Sequence, residues 1–309
     1  MKVGSGRRTA NSAVFRPRRK ATPYLFILPH FAFFAAFLLW PFFRGIYTSL
    51  FEYDFLRPER RPFVGLENYR NLIDSGSVQY DDFWRSMRNT GEFLVWSVPP
   101  LVIIALFLAV LLNGRYPGRN LFRTLFFAPY ALSATAAAVL WWWIFQPSGG
   151  LLNHVLPAIG VDGPRWLSSM PETWAAITIA TVWWTIGFNT IIFLAALQDV
   201  PAVLYEAASI DGAGPIQQFT KITLPMLRPV LVLVLTITLI ASANLFAQPY
   251  IMTAGGPLQR TESIIYRIYI EGIQRSQMGS AAAMSVVVAA LLLVLTSINF
   301  RVFGRKEGA

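Results

Sequence analysis

Apolar stretches of 22 to 27 residues alternate along this chain with more polar connections. A membrane-spanning helix needs about 20 mostly apolar residues. Six stretches meet that length: 24–50, 91–112, 121–145, 174–197, 225–248 and 279–302. Each lacks a dense run of charge, and Arg44 and Glu92 lie near span ends, where long side chains reach the interface. Pro29, Pro41, Pro99, Pro100 and Pro129 fall inside these stretches. They would break soluble helices, but membrane helices tolerate proline where neighbours satisfy the freed carbonyls. The pattern therefore predicts an all-α membrane protein with six spans over 24–302, flanked by tails at 1–23 and 303–309.

The composition agrees with a bilayer. The 309 residues are 55% hydrophobic and 14% charged, against roughly 25% charged in soluble domains. The formal charge is +10, and its excess gathers at Lys2, Arg7, Arg8, Arg16, Arg18, Arg19 and Lys20. That cluster reads as a juxtamembrane anchor. No interleaving of basic and aromatic residues follows it, so nucleic acid is not an expected partner. The first apolar stretch exceeds the 7–15 residues of a signal-peptide core, which makes it a retained span.

Six spans place both termini on one side. With the termini, 113–123 and 199–228 taken as cytoplasmic, those segments hold 15 Lys and Arg; the opposite segments 51–89, 147–173 and 249–278 hold 10. The excess of positive charge on the cytoplasmic side predicts that both termini, and the loop 199–224, are cytoplasmic. The 39-residue connection 51–89 is long enough to carry a folded element of its own. The run Trp141–Phe145 ends the third span at an expected aromatic belt.

Several chemistries are excluded. There is no cysteine, hence no disulfide, thiolate or cysteine metal site. No phosphate-loop motif occurs, so this chain is not expected to bind ATP. Only His30 and His154 are present, and no pair of carboxylates sits mid-span. A zinc enzyme and an aspartyl membrane protease are therefore disfavoured, and a proton-driven secondary transporter, which needs intramembrane acids or histidine, is the weaker alternative.

The loop 205–225, YEAASIDGAGPIQQFTKITLP, is the most informative segment. Asp199 and Pro201 suit a helix start. Leu204, Ala207, Ala208 and Asp211 share one helical face. Gly212 supplies a left-handed stop. Pro215 suits the first position of a second short helix, where Phe219 and Ile222 form an apolar edge. The product is a helix, a turn and a helix at the membrane surface, either a docking element or a plain connection.

Glu206, Ala207, Ala208, Gly212, Ile222, Leu224 and Pro225 fit every position of one signature: Glu-Ala-Ala, three residues, Gly, nine residues, Ile, one residue, Leu-Pro. This signature resembles that of permease subunits of binding-protein-dependent ABC importers. Flanking segments LAALQDVPAVLYEAA and TAGGP resemble the maltose-type, carbohydrate-uptake branch.

The resemblance implies a type I importer permease in a bacterial or archaeal plasma membrane. It implies a second homologous permease, a pair of ATPase subunits that bind ATP and magnesium, and an extracytoplasmic solute-binding protein. The loop would be the coupling helix that enters a groove on the ATPase, with no cofactor or catalytic residue in this chain. The cargo would be a sugar or sugar-like solute, with a glycerol-phosphate or polyol importer left open. Sugar recognition needs flat apolar surface and amide or hydroxyl partners, which makes Asn189, Asn244, Gln248 and Tyr250 candidates for the substrate path. Asn244 and Gln248, four apart, are expected on one helix face.

Overall fold

The computed structural model describes residues 22–114 and 116–303. The expected tails lie outside these residues, save their inner edges. The described residues divide into two compact units, with the boundary between Tyr47 and Thr48. Among the described residues there is no strand; two isolated bridges, Phe51 to Phe63 and Asp54 to Gln277, are the only β pairings.

The described part of the first unit is α1 (Tyr24–Thr48, whose last residue opens the second unit), and most of its apolar side chains are exposed. A π-turn at Ala35–Leu39 interrupts it. His30 packs on Phe31 and Phe34.

The second unit contains α2 (Glu67–Asn71), α3 (Val78–Asn113), α4 (Arg119–Ala131), α5 (Ala134–Ile144) and α6 (Leu151–Val155). It continues with α7 (Glu172–Gln198), α8 (Ala202–Ile210), α9 (Pro215–Met226), α10 (Arg228–Ala243), α11 (Ile264–Tyr269) and α12 (Met278–Phe303). Four helices, α1, α3, α7 and α12, are long and apolar enough to cross a bilayer alone. Two further spans are bent pairs: α4 with α5 at 99°, and α9 with α10 at 68°.

Three expectations are corrected here. The third span is a broken pair: Ala128–Ala131 tightens into a 3₁₀ turn around Pro129, and Ser133 starts α5 by accepting from the Ala136 amide. The second span begins 13 residues early, because α3 starts at Val78 behind the Ser77 cap, whose Oγ accepts from Tyr80 N. Asn244 and Gln248 do not share a continuous helix: α10 ends at Ala243, and the Asn244 amide turns back to donate to the Ile240 carbonyl at 2.7 Å.

The core forms between α3, α7 and α10. Ala105 and Ala109 let α3 approach Ile186, Phe193 and Leu194 of α7, with Leu227 and Val234 closing one end of the bundle. Further along, Phe93 meets Trp174 with ring centroids 5.5 Å apart, over Phe145 and Met252. Gly187 is required on α7, because a Cβ there would strike the Phe126 carbonyl of α4.

The other end of the bundle is held by charge. The first half of α3 carries a buried polar stripe, Asp82, Ser86, Asn89 and Thr90, at helical spacing. Asn89 Nδ2 donates to the carbonyls of Gln259 (2.8 Å) and Glu262 (3.0 Å), and Thr90 Oγ1 accepts from Ile264 N at 2.9 Å. Arg267, 2% exposed, bridges Asp82 at 2.6 Å and Glu271 at 2.7 Å. Arg85 and Arg275 complete a neutral set against Asp82, Glu262 and Glu271. Removing one member of a buried pair strands the other charge, at a cost of about 3–5 kcal/mol. Arg267→Met should therefore lower thermal stability of the purified protein by that order, and Asp82→Asn in the same background should restore part of it. Unchanged unfolding of Arg267→Met would show that the network does not hold this end together.

Candidate functional site

The hairpin α8–α9 is built from local rules. α7 ends at Asp199, whose N–H bonds to Ala196 O, so Asp199 closes the preceding helix and does not open the next. Pro201, at φ −60° and ψ 125°, is extended and redirects the chain into α8. At the far end of α8, Gly212 N donates to Ser209 O at 3.1 Å and Ala213 N to Ala208 O at 2.8 Å. This pair of bonds is a Schellman stop, and it puts Gly212 at φ +79°. Pro215 then takes the first turn of α9, with Gln217 Oε1 accepting from Gly214 N.

Two struts tie the hairpin's arms together. Gln218 Nε2 donates to Ser209 Oγ at 3.0 Å and to Ala213 O at 3.1 Å. The hydroxyls of Tyr205 and Thr223 meet at 2.8 Å, and Thr223 is buried in the π-turn Phe219–Thr223. Glu206 and Ala207 are exposed, Ala208 is half-buried, and Leu224 and Pro225 are exposed. Phe219 and Ile222 are both half-buried and turn partly inward. Nothing lies within 4 Å of a Cβ built on Gly212.

The tip carries two residues that the sequence reading missed. Ile210 is 86% exposed and Ile216 is 80% exposed, one on each side of the Gly212 turn. Isolated β-branched residues in a polar loop were the available signal. Together with Val203 they give the hairpin an apolar face that no described residue covers.

A cavity of about 470 Å³ lies among α3, α5, α7 and α10. One wall is aromatic: Tyr130 stacks on Phe188 with centroids 5.0 Å apart, and Trp184 lies beside it, its indole N–H donating to Leu132 O at 3.0 Å. Asn189, Asn244 and Gln248 all line this cavity. Asn189 is committed to packing, donating to Thr238 Oγ1 at 3.0 Å and so tying α7 to α10. Asn244 keeps its amide oxygen available, and Gln248 is buried at the break that follows α10. Tyr250 is not part of the lining; it stacks on Phe246 at 5.2 Å and joins Tyr266 and Tyr269 in an aromatic cluster. Burial, and then the nearby Glu262 carboxylate, raise the Tyr266 phenol above its ordinary value. Among the described residues no Asp, Glu, Lys, Arg or His lines the cavity, which instead offers hydroxyls from Thr135, Thr181, Thr185, Thr238 and Ser242.

Comparison with known proteins places this geometry. The family described as "Binding-protein-dependent transport system inner membrane component" matches residues 93–307. The chain is 36% identical over 294 residues to the sn-glycerol-3-phosphate transport system permease protein UgpA of Escherichia coli O157:H7, covering 95% of this chain and 97% of that protein. It is 37% identical over 285 residues to UgpA of Yersinia pestis bv. Antiqua (strain Antiqua), covering 92% and 94%. Its fold matches a chain of a bacterial ABC transporter involved in the import of the acidic polysaccharide alginate, with TM-score 0.76 at 24% identity over 93% of this chain and 96% of that one. A bacterial alginate ABC transporter in complex with alginate pentasaccharide-bound periplasmic protein gives TM-score 0.78 at 24% identity over 93% of this chain and 96% of that one. Sequence signature, bent-helix architecture and relatives agree, and the chain belongs to the inner-membrane permease components of binding-protein-dependent transport systems, with the all-helical type I ABC importer fold.

Proposed function

We propose that this chain is one of two permease subunits of an ATP-driven importer and passes a sugar or sugar-like solute inward. The carrying observation is the α8–α9 hairpin: a rigid, strutted element with an uncovered apolar tip, set between two spans. That element suits insertion into a groove on a separate ATPase subunit, which would bind ATP and magnesium. An extracytoplasmic binding protein would deliver the solute at the opposite end of the bundle. The 27 residues of α7 separate the two ends by about 40 Å. The hairpin end and both termini are then cytoplasmic.

A second reading, uptake of glycerol phosphate, is favoured by the names of the relatives at 36–37% identity. The uncharged cavity supports a neutral hydroxylated solute instead. A phosphate carried into a site without a cation would have no charged partner to offset its lost hydration. Binding of a sugar panel and of sn-glycerol-3-phosphate to the cognate binding protein separates the two readings.

Three outcomes test the reading. Gly212→Val incurs a left-handed penalty of about 1–2 kcal/mol and adds a side chain where the tip would enter the partner's groove. It should leave the spans inserted yet weaken pull-down of the ATPase or uncouple hydrolysis from uptake, with Glu206→Ala acting less severely in the same direction. Wild-type coupling in Gly212→Val would remove the hairpin from ATPase docking. Gln248→Ala and Asn244→Ala should lower solute uptake by reconstituted importer while complex assembly stays intact; unchanged uptake kinetics for both would take them out of the path. Single cysteines at Ser5 and Ser77, introduced into this cysteine-free chain, should label from opposite sides of the membrane, and labelling of both from outside would reverse the proposed orientation.

A further inference from the structure

At the end of the bundle remote from the hairpin there is a second cavity, of about 350 Å³, between the 51–79 segment and the start of α12. Glu52, Asp54 and Glu67 line it, with Gln79, Gln277 and Ser280. Among the described residues these three carboxylates enter no ion pair. Arg275 also borders the cavity, but its guanidinium is already held between Asp82 and Glu271, 3.3 Å from each. The cavity therefore carries three carboxylates that no ion pair among the described residues balances.

A second feature points to a ligand. Ser280 is 8% exposed, lines the cavity, and its Oγ has no hydrogen-bond partner. A buried hydroxyl left without a partner is uncommon and calls for one. The frame around it is rigid. Met278 N donates to Tyr53 O at 2.8 Å, Phe55 N to Ser276 O at 3.0 Å, and Asn68 Nδ2 to Phe51 O at 3.0 Å. Gly279 fits here because a Cβ would strike the Phe51 carbonyl.

The arrangement selects the kind of cation. No group of three acidic or histidine side chains among the described residues is disposed to hold a metal ion. Carboxylates spread round a cleft, with amides and a hydroxyl between them, instead fit a guanidinium or ammonium on a flexible stem, which brings several N–H donors and one charge. Clefts lined by one sign of charge also steer a partner of the opposite sign. We propose that this cavity receives an Arg or Lys side chain of the extracytoplasmic binding protein. The proposal rests on the importer reading and its orientation, which place this end outside the cytoplasm.

The test uses the assembled importer in nanodiscs with its binding protein. Stimulation of ATP hydrolysis by the wild-type binding protein checks the underlying reading by itself. The variant Glu52→Gln/Asp54→Asn/Glu67→Gln should then raise the half-maximal concentration of binding protein by about tenfold or more at low salt and flatten its salt dependence, with basal hydrolysis unchanged. A second variant, Gln79→Arg, sets a guanidinium in the cavity from within; it should block docking to a similar degree while satisfying the same carboxylates. Unchanged half-maximal concentrations in both variants overturn the proposal. So does a change confined to the KM for solute at saturating binding protein, which would make the cavity a solute site.

Discussion

In hydrocarbon a backbone group without a partner costs several kcal/mol, so each place where this chain leaves the α-helix has to be repaired by its neighbours. The break between α4 and α5 is repaired by Trp184, whose indole N–H takes the Leu132 carbonyl, and by Ser133, which caps α5. The break after α10 is repaired by Ser263, whose hydroxyl donates to the Leu245 carbonyl, while the Asn244 side chain adds a second bond to the Ile240 carbonyl at the helix end. Both repairs lie against the aromatic and amide-lined cavity. The cavity thus exists because two helices are interrupted beside it, and the interruptions persist because α7 and the 261–264 segment supply the missing partners.

Much of this was legible in the sequence, and the limits have physical causes. Spans four and six were readable to within two or three residues, since each is a single uninterrupted helix with clear ends at Gln198 and Met278. The hairpin was readable because Gly212 and Pro215 are local signals acting on their own backbone. The third and fifth spans misled because hydropathy reports transfer into lipid and is blind to direction. A 99° turn at Leu132 leaves the apolar count unchanged. Asp199 misled for a related reason: a carboxylate near a helix terminus reads as a start, whereas here Pro201 governs where the next helix begins.

The largest omission was the charged network on α3. Asp82, Arg267 and Glu271 stand nearly 190 residues apart at the extremes, and their neighbours in sequence read as an ordinary polar connection. Nothing local marks them as buried. Only the return of the chain after α10 brings Arg267 onto Asp82. Tyr250 shows the converse case: its position two residues after Gln248 suggested the cavity, but Pro249 and the π-turn swing its ring onto Phe246.

The 68° bend between α9 and α10 has a mechanical meaning. Force delivered along α9 by a docked partner would have only a small component along α10, so most of it would act as torque about Leu227, which is 1% exposed and shares a core with Leu112, Leu197 and Val234. The struts from Tyr205 and Gln218 keep the hairpin from flexing under that load. Under the proposed docking, the joint would turn a short stroke at the tip into rotation of a helix whose far end borders the cavity.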